Sequence, residues 1–375
     1  MKKILFLTGT RADFGKLKPL MLRVDNDPEL ECHIFATGMH TLKRYGYTLK
    51  EIEKCGFKNI FQYMNQMVHT SIDMDLALAA TINGLAHYVR EYRPDLLVVH
   101  GDRVEALSGA IVGSLNNILV AHVEGGELSG TIDELIRHAV SKMAHVHFVA
   151  NDEAASRLAQ MGESKESIFV IGSPERDIMF SDDLPSLDEV KQRYNIEFKD
   201  YAIFSYHPVT TDIDTLPTKI INVVGALERS AENFIAIYPN NDSGADIIFE
   251  HLETLKGNPR FRFFPSIRFE YFLTLLKHSK MIVGNSSAGV REAPAYSVPT
   301  INIGNRQSNR FDSDSITHVE EDTAQILEAM DSLPSVGKPD YHYGKGNSAD
   351  LFMKCLHGEK VWEISCQKQF QDLPE

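Results

Sequence analysis

Residues 118–138 read I-L-V-A-H-V-E-G-G-E-L-S-G-T-I-D-E-L-I-R-H. Ile118-Leu119-Val120-Ala121 is a short apolar run with no polar alternation, and it closes on Glu124-Gly125-Gly126. Such a run predicts a strand buried on both faces of a parallel sheet. A strand of that kind delivers its last residues to the carboxyl edge, where open α/β sheets bind ligands. Glu124 therefore stands at the mouth of the sheet, and a helical pattern carrying Asp133, Glu134 and Arg137 follows it.

The same alternation extends in both directions. Lys3–Thr8 is strand-like, and Leu17, Leu20, Met21 and Val24 then recur at helical spacing. Cys32–Ala36 is the next strand, with a helical stretch near 41–54. A long amphipathic helix is expected over Ser71–Tyr92, ended by Pro94. Strands at 95–100, 118–123, 145–150 and 168–171 alternate with helices at 103–116, 131–144 and 152–161. Beyond Gly172-Ser173-Pro174 the polar run Ser181-Asp182-Asp183-Leu184-Pro185-Ser186 reads as a linker. The alternation restarts at Tyr201–Tyr206, with strands at 233–238, 260–264, 280–284 and 299–303. The fold class is α/β: two doubly wound, Rossmann-like domains with a central cleft. The expected boundaries are 1–173, 187–350, and a helical segment 351–375 that holds Trp362, the only tryptophan, and crosses back to the first domain.

A length of 375 residues exceeds one typical core and agrees with two domains. The net charge of −14 argues against a nucleic-acid or anionic-membrane surface, but not against a small anion held locally. The four cysteines lack C-x-x-C spacing, so neither a disulfide framework nor a zinc site is expected. No apolar run reaches membrane-spanning length, and Met1-Lys2-Lys3 leads straight into a strand. A cytoplasmic protein is the expectation.

Several strand ends carry chemistry. Thr8-Gly9-Thr10-Arg11-Ala12-Asp13 lies between a strand and a helix, where glycine and the helix N-terminus favour a phosphate; a tight turn with Arg11 in solvent is the plain alternative. Asp102 sits where an N-cap belongs. Thr131-x-x-Glu134 is a capping box, and Asp133 suits both a first helical turn and a pair with Arg137. Glu124 has no comparable structural role; burial would raise its pKa and equip it for proton transfer. His207 ends the first strand of the second domain. Gly284-Asn285-Ser286-Ser287 opens a helix as a cradle for a diphosphate, with Glu292 one turn in for ribose hydroxyls; simple capping with a surface Arg291–Glu292 pair is the alternative. Arg306 follows a further strand and suits a phosphate.

Together, G-T-R-A-D at 9–13, G-D-R at 101–103, H-V-E-G-G-E at 122–127, I-D-E-L-I-R-H at 132–138, H-P at 207–208, G-N-S-S-x-G-V-R-E at 284–292 and N-x-G-x-R-Q at 302–307 resemble the UDP-N-acetylglucosamine 2-epimerase family across nearly the whole chain. That resemblance implies a glycosyltransferase-B arrangement, UDP held mainly by the second domain, no cofactor, no metal, and a homodimer or homotetramer. The helix S-G-T-I-D-E-L-I-R-H is similar to the hydrolysing branch, which releases UDP and N-acetylmannosamine for sialic acid synthesis. The reversible branch, a UDP-bacillosamine-directed hydrolysing epimerase, a glycosyltransferase and a silent nucleotide-sugar binder are the alternatives.

In this reading Asp102 and Glu124 are the acid/base pair, Asp133 assists, and His207 donates to the departing phosphate. Arg11, Ser286, Ser287 and Arg306 hold the diphosphate and Glu292 the ribose. Asp13, His122, Arg137 and Arg291 are further contacts to the UDP-sugar. The charged Glu175-Arg176 departs from the expected pattern, but in a hinge where it touches little of the chemistry.

Overall fold

The structure is a computed structural model that describes residues 1–43, 46–65, 74–129, 132–239, 243–334 and 336–372. It divides into two compact units. The first comprises Met1–Glu127, Asp133–Ser181 and His342–Glu375; the second comprises Leu128–Ile132 and Asp182–Tyr341. The chain thus re-enters the first unit at His342, ahead of the residue-351 boundary expected from the sequence.

The first unit is built on a seven-stranded parallel sheet. In chain order its strands are β1 (Lys2–Thr8), β2 (Leu30–Ala36), β3 (Ile60–Gln62), β4 (Leu96–His100), β5 (Leu119–Val123), β6 (Val146–Val149) and β7 (Ile168–Val170). Their spatial order is β3-β2-β1-β4-β5-β6-β7, so the order reverses between β1 and β4. Ile4 through Leu7 and Leu96 through Val99 are all buried, which is why these strands show no polar alternation. Ile4, Phe6, Val98 and Phe148 pack against Leu17, Leu20 and Met21 of the helix Arg11–Asp25 and against Phe352 of the returning helix Ser348–His357. Leu5, Leu7, Leu97 and Val99 cover the other face with Leu85 and Val140. The long helix runs Met74–Tyr92; residues 71–73 of the expected span lie outside the described residues.

Residues 365–372 are not helical as expected, and residues 373–375 lie outside the described residues. The 365–372 segment holds the first unit by polar contacts. Lys368 Nζ donates to the carbonyls of Ser141, Lys142 and Ala144 at 3.1, 2.8 and 2.6 Å and caps the end of the helix Ile132–Met143.

The second unit carries β8 (Ala202–Ser205), β9 (Phe234–Ile237), β10 (Phe261–Phe264), β11 (Ile282–Gly284), β12 (Thr300–Ile303) and β13 (Ile316–Val319) in the order β10-β9-β8-β11-β12-β13, again all parallel. Its order reverses between β8 and β11. Gly284 at the end of β11 has φ +130°, and a Cβ there would meet the Ser205 carbonyl at 2.0 Å, so only glycine lets these two strand ends approach.

Two strands, β3 and β13, were not expected. Both lie at sheet edges and are half open to solvent, so neither needs an apolar run. The first unit gives way to the second between Ser181 and Asp182, inside the polar run read as a linker. Glu175–Met179 is a short helix in which Glu175, Arg176 and Met179 are buried, and Asp177 accepts the Ser348 and Ala349 N–H groups at 2.8 and 2.7 Å.

Candidate functional site

In the first unit the chemistry gathers at the carboxyl edge, where β1, β4 and β5 end. Glu124 follows β5 with φ +62°, a left-handed backbone that costs a non-glycine residue about 1–3 kcal/mol and is characteristic of functional positions. Its N–H bonds to the Phe148 carbonyl at 2.9 Å. The side chain is buried and ringed by donors. Ser173 Oγ donates to Oε1, His100 Nε2 lies 3.1 Å from Oε2, and Lys16 Nζ lies 3.8 Å from the same oxygen. Lys16, His100 and Ser173 were not singled out in the sequence.

Asp102, at the end of the neighbouring β4, does not cap its helix. The N-cap of Val104–Leu115 is Arg103, which makes no side-chain cap bond. The Asp102 carboxylate instead pairs with Arg137, whose other arm donates to the Glu127 carbonyl at 3.1 Å. Arg137 is almost fully buried. Burial alone would lower its pKa, but Asp102 and Glu127 outweigh it and the guanidinium is held above its ordinary value. Arg137 is thus the anchor of Asp102. Asp133 lies in the first turn of the same helix, adds to the negative field on Arg137, and is partly exposed. The partner Thr131 of the expected capping box lies outside the described residues; Glu134 Oε1 lies 3.8 Å from His138 Nε2.

His122 is also structural in its contacts. Its Nε2–H donates to the Gly101 carbonyl at 2.8 Å and its Nδ1 accepts from the Ser141 hydroxyl at 2.9 Å. With both nitrogens used and the ring wholly buried, it fixes the turn that presents Asp102.

The Gly9–Asp13 loop departs furthest from expectation. Asp13 accepts from the Thr8 hydroxyl at 2.5 Å and from the Gly9 and Thr10 N–H groups at 3.0 and 3.1 Å, closing a capping box with Thr10. The Gly9 and Thr10 N–H groups expected to cradle a phosphate already hold an internal anion, the Asp13 carboxylate. Gly9 is required for another reason: a Cβ would lie 2.8 Å from the carboxyl carbon of the buried Glu105. Arg11 pairs with Glu51 at 2.7 Å.

In the second unit, β8, β11 and β12 bring their own cluster to one edge. Asn285 grips the backbone of His207 through both amide atoms, accepting from its N–H at 2.7 Å and donating to its carbonyl at 2.8 Å. The Asn285 carbonyl accepts from Arg306 at 3.3 Å and Gln307 at 2.9 Å. Ser286 is the N-cap of the short helix Ser287–Val290, accepting from Ala288 N–H at 3.3 Å. Glu292 and Arg291 are buried, which rules out the surface pair considered from sequence. Burial, reinforced by Arg306, holds the His207 imidazole down at about 3.

The pKa values of His138, His145 and His147 are also lowered by burial, and those of His40, His122 and His207 are held far below the ordinary one. Burial is the leading cause for each, with His40 held at about 4 and His122 and His207 at about 3, against an ordinary 6.5. The unfolded chain takes up these protons as the pH falls through 6.5, whereas the native state refuses them. Their contribution to stability is therefore complete above pH 6.5 and declines below it, by up to about 1.4 kcal/mol per histidine per pH unit. Thermal unfolding between pH 7.5 and pH 5 should show a falling midpoint; a flat profile contradicts this assignment.

Two parallel, doubly wound α/β units, each with polar side chains gathered at its carboxyl edge, define an α/β protein of the class that binds ligands at its strand ends. A family model described as UDP-N-acetylglucosamine 2-epimerase matches residues 22–357, and the chain belongs to that family. The chain is 47% identical over 378 residues to a UDP-N-acetylglucosamine 2-epimerase of Neisseria meningitidis, with all of both chains covered. It is 32% identical over 364 residues to a UDP-N,N'-diacetylbacillosamine 2-epimerase (hydrolyzing) of Legionella pneumophila, covering 95% of this chain and 96% of that one. Among solved structures, the UDP-GlcNAc 2-epimerase of Methanocaldococcus jannaschii in complex with UDP-GlcNAc and UDP superposes with a TM-score of 0.80 at 21% identity, over 95% of this chain and 99% of that one. The fold is the glycosyltransferase-B-like fold of those enzymes.

Proposed function

We propose that this protein is a hydrolysing UDP-N-acetylglucosamine 2-epimerase, converting UDP-N-acetylglucosamine and water into UDP and N-acetylmannosamine for sialic acid synthesis. The observation that carries the reading is the pair of carboxylates on adjacent strand ends: Glu124, held by Ser173 and His100, and Asp102, held by Arg137. A relative whose name specifies hydrolysis, matched over 95% of the chain, supports the branch.

The chemistry explains the need for two such groups. The carbon-2 proton is not flanked by a carbonyl, so direct deprotonation is too difficult. Breaking the carbon-1 bond to UDP creates oxocarbenium character and acidifies that proton. Glu124 takes it, the carbon-1–carbon-2 double bond forms, and UDP leaves with the bonding electrons. Water then adds to the 2-acetamidoglucal: hydroxide goes to carbon-1, and a proton goes to carbon-2 on the opposite face. Asp102 activates the water, and Asp133 assists.

A neutral His207 supplies a hydrogen bond rather than a full proton to the departing phosphate, which suffices for a leaving group as good as UDP. Arg11, Ser286, Ser287 and Arg306 hold the diphosphate, and Glu292 the ribose. Asp13 and His122 drop out as ligands because their polar atoms are already used.

The Legionella relative supports a second reading in which the sugar is a UDP-diacetylbacillosamine, altered at carbons 4 and 6 while the same bonds are made and broken. Proton NMR of the reaction tests the proposal. Free N-acetylmannosamine with UDP is the expected product, and accumulation of UDP-N-acetylmannosamine overturns hydrolysis. Competition between the two UDP-sugars should favour UDP-N-acetylglucosamine in kcat/KM; the reverse order selects the second reading.

A further inference from the structure

Glu175 stands two residues beyond Ser173, the donor to Glu124, in the first turn of the helix Glu175–Met179. Its side chain is wholly buried, and Lys16 Nζ lies 2.5 Å from its Oε2. The same ammonium lies 3.8 Å from Glu124 Oε2. The shorter separation is a close buried ion pair, while the longer lies near the outer limit of one and acts through space. One cation therefore serves two buried carboxylates and is committed to Glu175. The charged and titratable groups around Glu124 include Lys16 from the helix Arg11–Asp25, His100 from β4, and Glu175 behind Lys16.

We infer that Glu175 is a positioning residue: by anchoring the Lys16 ammonium it limits how strongly that cation neutralises Glu124, and so keeps Glu124 an effective proton acceptor. This rests on the reading that Glu124 removes the carbon-2 proton. A neutral side chain at 175 acts twice in the same direction. It removes a nearby negative charge, and it frees Lys16 to hydrogen-bond Glu124 in the anionic form. A carboxylate so stabilised ionises at lower pH and is a weaker base.

The experiment is the pH dependence of kcat and kcat/KM for wild type and Glu175→Gln with UDP-N-acetylglucosamine. The acid limb of kcat/KM should move down by about one pH unit, and kcat should fall roughly three- to tenfold, with KM within about twofold of wild type. An unmoved acid limb overturns the inference. So does a raised KM at unchanged kcat, which would make Lys16 a substrate ligand merely oriented by Glu175. If the glutamine variant does not fold, Glu175→Asp withdraws the carboxylate by one methylene while keeping the buried charge paired. The limb must then move the same way, and an unmoved limb again overturns the inference. Failure of the wild type to release N-acetylmannosamine is a separate outcome: it defeats the parent reading itself.

Discussion

Glu124→Gln is expected to lower kcat by roughly 10²- to 10⁴-fold while leaving UDP affinity nearly unchanged. The amide matches the carboxylate in shape, so the contacts of Ser173 and His100 are disturbed little. What is lost is the ability to accept a proton. Most of the residues proposed to hold UDP (Ser286, Ser287, Glu292 and Arg306) lie in the second unit, whereas Glu124 lies in the first. Steady-state kinetics with UDP titration by calorimetry separates the two effects. Wild-type turnover in the glutamine variant would remove Glu124 from the chemistry.

Arg137→Met is the change with the largest expected effect on stability, and it lowers activity as well. The guanidinium is buried and joins Asp102 to the Glu127 carbonyl. Removing one partner of a buried pair costs about 3–5 kcal/mol; Asp102 is partly open to water, so the lower end applies. Thermal unfolding of the first unit should shift down by roughly 6–12 °C. Loss of the anchor also lets Asp102 wander, and a misplacement of about 1 Å costs on the order of 10²-fold in rate. Arg137→Lys should recover little, because one ammonium cannot span both acceptors in a fixed fork. A variant with an unshifted melting curve and normal kcat would show that Arg137 is a bystander.

The sequence made the strand ends legible because buried parallel strands write their positions as apolar runs. It carried less about what happens at those ends. His122 and Asp13 occupy positions that look like ligand contacts. Whether their polar atoms face a substrate or their own backbone depends on Gly101, Ser141, Gly9 and Thr10, and no spacing rule reports those partners. Asp102 looked like a helix cap because local position is all that a sequence shows, whereas its true partner lies 35 residues away.

Lys16 was invisible for the opposite reason. A lysine in an amphipathic helix ordinarily faces solvent, and only the folded chain brings it beside Glu124 and Glu175. The stretch Gly172–Asp177 read as a hinge because it is polar. It proves to be a buried polar segment that supplies both Ser173 and Glu175 to the site.

The proposed reaction removes a proton from carbon-2 and replaces it from solvent while UDP is released. Running the wild-type reaction with UDP-N-acetylglucosamine in heavy water, and reading the released sugar by NMR, tests that directly. The predicted result is free N-acetylmannosamine carrying deuterium at carbon-2. A released N-acetylhexosamine that keeps its original carbon-2 proton would contradict it.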